Sequence, residues 1–276
     1  MSLISKNIEA FYNASSEEDR LSIGLGPLEF ERNKELIARY LPGDESKIVD
    51  VGGGTGKYSE WLANLGHRVV MVDPVLKHVK IAQKRASKMR HRFMVQQGEA
   101  RDLEIPDEFA DLVILHGPLY HLQTQHERLQ AIREARRITK PGGIILGFAI
   151  GYTASTMVAL MQGILHEEGV LDMCLSELSS GRHYAPETIP GILPEAYYHR
   201  PEELRLEFET AGLRVLALHA VEGVIWLEKH YFSTRSSEQK FNRLRSILSL
   251  TESDPNLLAV SPHIMAAAKK TIENEG

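Results

Sequence analysis

Ile48-Val49-Asp50-Val51-Gly52-Gly53-Gly54-Thr55-Gly56-Lys57-Tyr58 is the stretch on which the reading of this chain turns. An apolar, β-branched run from Lys47 to Val51 passes into a glycine cluster and then into a helical pattern. Glycine in such a turn lets the backbone approach a ligand that any Cβ would keep away. A triphosphate-binding loop of the form G-x-x-x-x-G-K-[ST] needs glycine where Val51 stands and serine or threonine where Tyr58 stands. A dinucleotide turn of the form G-x-G-x-x-G/A ends on Lys57 if it starts at Gly52, and on Ser59 if it starts at Gly54. What remains is acid-x-Gly-x-Gly-x-Gly: Asp50, Gly52, Gly54 and Gly56.

Short strands alternate with helices on either side of this loop. Strands are expected over 47–51, 68–72, 92–96, 110–115 and 144–150, and helices over 59–65, 75–89 and 127–138. That rhythm predicts βαβ units and a mainly parallel sheet. The strands are apolar almost throughout, as a sheet covered on both faces requires. Right-handed crossovers place their C-terminal ends along one edge, where open α/β sheets bind ligands. Residues 151–200 break the rhythm, with a helical stretch over 153–168 and a Gly-, Pro-, Tyr- and His-rich stretch over 181–199. It resumes with a helix over 201–211, a strand over 213–219, a helix over 240–250 and an alanine-rich last strand over 263–269.

The glycine loop resembles motif I of class I S-adenosylmethionine (SAM) dependent methyltransferases, and the likeness continues down the chain. Asp73 ends the second strand, where that family places a carboxylate on the ribose hydroxyls. Gln97-Gly98-Glu99-Ala100 resembles the adenine loop, with Glu99 where the family usually has Asp. Phe109 to Leu115 resembles the fourth strand, and Arg137-Ile138-Thr139-Lys140-Pro141-Gly142-Gly143 the turn before the fifth. Residues 200–213 resemble the helix before the sixth. Gly117-Pro118-Leu119-Tyr120-His121-Leu122 is similar to a phrase of a small-molecule, UbiE-like branch.

The resemblance implies a Rossmann-like, doubly wound α/β sheet in the order 3-2-1-4-5-7-6, strand 7 antiparallel, with a helical lid and cap. The implied division is a lid over 1–46, a SAM-binding core over 47–150, a cap or substrate insertion over 151–200 and a C-terminal completion of the sheet over 201–276. It implies cofactor contacts from Tyr12, Asp50, Gly52, Gly53, Gly54, Gly56, Asp73, Pro74, Val75, Glu99, Ala100, Arg101 and His116, with S-adenosylhomocysteine as product. Arg20, Glu29 and Arg32 would belong to the same lid as Tyr12. Tyr120 and His121 either face the cofactor or acceptor, or pack the loop under the cap. The methyl group would pass to oxygen, nitrogen or carbon of a small molecule. Where the acceptor must lose a proton, a histidine suits the task; His121 is the first candidate, His199 the second, and Tyr120 stands beside them.

Composition bounds the alternatives. The 276 residues are 43% hydrophobic and 25% charged, which is ordinary for a folded domain. A net charge of −5 offers no global attraction for nucleic acid. The basic run from Lys77 to Arg92 reads as the exposed side of a helix, since no aromatics interleave with its charges. The lone Cys174 excludes an internal disulfide and a multi-cysteine metal site. No metal is expected: His-Glu-x-x-His is absent, and His116, His121 and His126 do not share one helix face. The apolar run 144–150 is far below the ~20 residues that span a bilayer. The N-terminal residues lack a signal-peptide pattern, so a cytoplasmic setting is expected, with a homodimer as one possibility. The competing readings are an RNA or protein methyltransferase, a SAM-binding module without turnover, and a nicotinamide oxidoreductase, which Lys57 disfavours.

Overall fold

A computed structural model describes residues 3–15 and 17–271. The remaining positions of the expected lid and C-terminal segment (1, 2, 16 and 272–276) lie outside the described residues. The helices α1 (Lys6–Ala14), α2 (Glu17–Arg20) and α3 (Gly26–Ala38) precede β1 (Lys47–Val51). Then come α4 (Lys57–Asn64), β2 (Arg68–Asp73), α5 (Leu76–Ser87), β3 (Met94–Gln97), β4 (Ala110–Leu115), α6 (Pro118–His121), α7 (Gln125–Ile138) and β5 (Thr139–Ile150). A segment with α8 (Ala154–Gln162), α9 (Val170–Ser180), β6 (Arg182–Tyr184) and β7 (Glu195–Tyr197) follows. The chain closes with α10 (Pro201–Thr210), β8 (Arg214–Ala220), α11 (Tyr231–Arg235), α12 (Glu238–Thr251) and β9 (His263–Lys269).

Seven strands form one sheet in the order β3-β2-β1-β4-β5-β9-β8, and β6 pairs only with β7. With that small hairpin set aside, β8 and β9 are the sixth and seventh strands of the sheet, and the order is the one expected. β9 runs antiparallel to both β5 and β8. Alternate residues of each strand enter separate cores on the two faces. Val49, Val51, Val113 and Leu115 pack on one side; Ile48, Leu112 and Ile114 pack on the other. The alanines of β9 are buried: Ala266, Ala267 and Ala268 lie wholly inside, as do Ile264 and Met265, flanked by strands on both sides. Small side chains there leave room for the helices on each face.

One expected helix is shorter than its pattern. The pattern over 153–168 predicts a single helix, but α8 stops at Gly163, whose φ of +73° is left-handed. Glycine accepts that conformation readily, and it lets the chain turn before α9 begins. No described helix is long and apolar enough to cross a membrane.

Candidate active site

The glycine loop is tied down before it meets any ligand. Gly52 N donates to Val72 O at 2.8 Å, which holds the turn against β2. Gly52 has φ +76°, and a Cβ there would lie 3.0 Å from Gly117 N and from Pro118 Cδ. Its lack of a side chain lets the loop after β1 approach the loop after β4. Asp73, at the end of β2, is 4% exposed and organises the opposite wall. Its Oδ2 accepts from Gly54 N at 2.9 Å, its Oδ1 accepts from Val75 N at 2.9 Å, and His78 Nδ1 lies 3.2 Å from Oδ1.

A cavity of about 620 Å³ opens at this C-terminal edge of the parallel strands. That volume lies within the usual range for small-ligand sites. Tyr12, Gly52, Gly53, Gly54, Asp73, Pro74, Val75, Glu99, Ala100, His116, Tyr120 and His121 all line it. Their convergence spans α1, the loops after β1, β2, β3 and β4, and α6.

Four expected site residues are not in the lining. Asp50 is fully buried beneath the loop, where it accepts from Ser59 Oγ at 2.7 Å and lies 2.9 Å from His116 Nδ1. It therefore reaches the cavity only through His116. Gly56 serves packing: a Cβ there would meet Phe93 Cζ at 2.9 Å and Ala82 Cβ at 3.2 Å, where α4 starts against α5 and β3. Arg101 pairs with Glu99 and Glu127, each at 2.6 Å, and so braces the adenine loop from outside. His199 is wholly buried between α7 and α10, 3.3 Å from Glu207 Oε2. Arg128 holds the same carboxylate at 2.8 Å while its guanidinium lies over the Tyr197 ring. Burial pushes the His199 pKa down, and the wholly buried ring is not part of the cavity lining, so its position here is structural and does not fit the expected role as a base.

The loop after β4 is the aromatic side of the cavity. His116 is stacked between Tyr58 and Phe148, at centroid distances of 4.2 and 4.7 Å. Tyr12 reaches down from α1, its hydroxyl 2.8 Å from His121 Nε2 and its ring edge-on to His78 at 4.8 Å. Burial drives His121 down to about 3 and Tyr120 well above the usual phenol range. An imidazole so reluctant to take a proton is a poor general base. His121 is therefore better described as the partner that fixes Tyr12 over the cavity.

Other positions around the cavity had no assigned role in the sequence, or only a place in the lid. Lys77, one of a basic run, donates to the carbonyls of Tyr12, Asn13 and Ser15 at 3.1, 2.9 and 2.8 Å, and so pins the end of α1 to α5. Arg20 grips Glu29 with two bonds of 2.7 and 3.0 Å, within the expected lid. Burial opposes ionisation of Glu29, but Arg20 overrides it and holds the carboxyl down at about 2. Arg32, assigned to the same lid, instead donates to Val221 O and pairs with Glu252. His263, at the start of β9, joins the cavity lining because β9 pairs with the end of β5, opposite Ile150. Ligand atoms of Glu29, Glu222 and His263 come within 4.8 Å of one another. Glu29 is already engaged by Arg20, and Glu222 by His263 and Ser261, so a cation would have to displace these partners.

Comparison with known proteins agrees with this geometry. Residues 49–147 match the family described as "Methyltransferase domain". The chain is 27% identical over 206 residues to a ubiquinone biosynthesis O-methyltransferase of Xanthomonas campestris, covering 71% of this chain and 73% of that protein. It is 32% identical over 103 residues to a tRNA (carboxymethyluridine(34)-5-O)-methyltransferase of Arabidopsis thaliana, covering 37% of this chain and 23% of that one. Of several curated relatives the chain spans less than half the length, 43%, 47% and 23% in three cases. A SAM-dependent methyltransferase from Methanosarcina mazei shares the fold with a TM-score of 0.59 at 18% identity, over 86% of this chain and 98% of that one. The sheet order, the glycine loop and Asp73 at the tip of β2 thus stand within, or beside, the stretch 49–147 that matches a methyltransferase domain.

Proposed function

We propose that this chain transfers the methyl group of SAM to a small-molecule acceptor, as a member of the UbiE-like branch that the Gly117–Leu122 phrase resembles. The observation that carries the reading is Asp73, buried at the end of β2 and ordering both the glycine loop and the start of α5 at the mouth of one cavity. Residues 1–46 then act as lid, 47–150 as cofactor core, 151–200 as cap and 201–276 as completion of the sheet.

The side chains present suit the cofactor. A carboxylate has about four lone-pair sites. Asp73 has three neighbours, of which His78 is the most distant at 3.2 Å. Two ribose hydroxyls are accommodated if that contact lapses, which also fits the buried, unpartnered Nε2 of His78. Val75, Glu99 and Ala100 border the place for the adenine, and the glycine loop with His116 borders the methionine end. When bound, SAM supplies a methyl group already activated by its sulfonium, so the chain's task is alignment and exclusion of water. Tyr12, Ile8 and Phe11 on α1, with Leu193 from the cap segment, line the roof and supply that exclusion. A cavity with α1 on one wall and the cap segment on another favours a small acceptor over RNA or protein.

Thermal unfolding with SAM, S-adenosylhomocysteine, NADH and ATP in parallel tests the reading. A ligand at a hundred times its dissociation constant stabilises by about 2.7 kcal/mol. The expected outcome is a shift with SAM and S-adenosylhomocysteine alone. A shift with NADH alone would overturn it, and salt-dependent retention on RNA would move the acceptor to the macromolecular class.

A further inference from the structure

The lid and α3 bring a set of charges to the methionine end of the cavity. Asp50, expected as a cofactor contact, is fully buried and outside the lining, so a carboxylate for an ammonium there must come from elsewhere. A Cβ on Gly54 would lie 3.9 Å from Glu17 Cγ, so α2 rests over the glycine loop. Glu17 Oε1 accepts from Arg20 Nε at 2.7 Å, and the two terminal nitrogens of Arg20 donate to Glu29 at 2.7 and 3.0 Å. Asn33 stands one turn beyond Glu29 on α3. Its Nδ2 donates to the Tyr58 hydroxyl at 2.8 Å, and the Tyr58 ring stacks on His116 at 4.2 Å. Arg20, Glu29, Asn33 and His116 all line the cavity.

Two features of this wall ask for a ligand. Asn33 Oδ1 and His116 Nε2 are buried and have no hydrogen-bond partner among the described residues. An amide oxygen is an acceptor, and so is Nε2 of an imidazole whose Nδ1 hydrogen points at Asp50, 2.9 Å away. Buried acceptors without donors call for N–H or O–H groups. The second feature is the Arg20–Glu29 pair itself. A guanidinium fork fits any carboxylate, and a carboxylate fits any ammonium, so a ligand that carries both charges matches both halves of the pair. The Arg20 side chain is 42% exposed and free to turn from one carboxylate to another, whereas that of Glu29, on α3, is 12% exposed.

We propose that Arg20 and Glu29 hold the amino-acid end of SAM, its carboxylate on the Arg20 guanidinium and its ammonium on Glu29, Asn33 Oδ1 and His116 Nε2. The proposal rests on the methyltransferase reading and deepens it. The Arg20–Glu29 pair opens, and each partner takes the opposite charge of the zwitterion, so no buried charge is left unanswered. An ammonium has three N–H donors, which the three acceptors match. Burial works against the Glu29 charge, Arg20 and then His263 favour it, and the carboxyl stands at about 2. When Arg20 turns to the ligand, the ammonium replaces it beside Glu29. His263, held 2.6 Å from Glu222, stays in place as the second support.

Calorimetry on the full chain tests this with S-adenosylhomocysteine and two analogues. One is the amine left when its carboxylate is removed, S-adenosyl-3-thiopropylamine; the other is 5′-methylthioadenosine, which has neither charged group. The wild-type chain is expected to prefer S-adenosylhomocysteine to the amine by at least about tenfold, since a charged hydrogen bond decides between them. Arg20→Gln is expected to erase that preference without weakening the amine, whose ammonium still meets Glu29. Glu29→Gln is expected to erase the preference for the amine over 5′-methylthioadenosine. Affinity for 5′-methylthioadenosine should stay within about twofold throughout, which reports that each variant is folded. If Glu29→Gln does not fold, Arg20→Gln, at a half-exposed side chain, decides. A wild-type chain indifferent to the carboxylate, preferences that survive the substitutions, or an equal loss of all three ligands overturns the proposal and leaves the methyltransferase reading standing. Failure of S-adenosylhomocysteine to bind the wild-type chain overturns both.

Discussion

Two buried histidines of this chain have similar partners and opposite surroundings. His116 pairs with Asp50, and His199 pairs with Glu207; each carboxylate is almost or wholly inaccessible. Each ring also keeps one nitrogen without a partner among the described residues. The difference lies in what stands on the far side. His116 follows β4 at the C-terminal edge of the sheet, and its ring faces the cavity. His199 follows the β6–β7 hairpin and is enclosed by α7, α10 and the Arg128 guanidinium. A histidine with a carboxylate partner is thus no sign of chemistry by itself. Access to a ligand-sized space is what separates the two.

Substitutions can break that comparison, and the largest effect is expected on the enclosed side. Arg128→Met leaves Glu207 buried with only His199 to answer its charge. Removing one partner of a buried ion pair costs about 3–5 kcal/mol. Chemical denaturation should show a loss of that order, while S-adenosylhomocysteine affinity of the folded variant stays within about twofold. Weakened cofactor binding without loss of stability would mean that the enclosed cluster communicates with the cavity after all.

Asp73→Ala is the converse. A charged hydrogen bond is worth about 1.5–3 kcal/mol, so calorimetry should find SAM binding at least about tenfold weaker. Unchanged affinity in a folded variant would remove Asp73 from the cofactor site. The smallest effect sharpens the comparison through a third buried histidine. His219, between Tyr40 and Ser253 and away from the cavity, is held by burial at about 4. Below the ordinary imidazole value of ~6.5 the unfolded chain takes up a proton that the folded chain refuses. Stability should therefore fall as pH drops from ~6.5 towards 4. In melting curves across that window, His219→Gln should flatten the fall; an unaltered slope would show that His219 does not contribute to it.

Much of the fold was legible in local pattern. Apolar runs of strand length, glycine-marked turns and intervening helical periods located β1, β2, β4 and β5 within a few residues. The same pattern placed Asp73, Gly54 and His116 at one sheet edge, because parallel βαβ units leave little choice of edge. The order of β8 and β9 came with the family resemblance, since an alanine-rich strand carries little pattern of its own. The break of α8 at Gly163 was missed because its residues continue a helical composition, and only the positive φ at Gly163 shows the stop.

Side-chain roles divide along a physical line. Local order along the chain is set by propensity, periodicity and turn chemistry, and these are written residue by residue; they suffice for the glycine loop and the carboxylate after β2. Whether a histidine meets solvent space, a carboxylate or a guanidinium depends on residues far away in the chain. His199 meets Arg128, Tyr12 meets His121, and His263 meets Glu29 across separations that no local pattern encodes. Burial and those distant partners then decide whether a ring can take a proton, so the chemistry of each histidine was settled only when the chain packed.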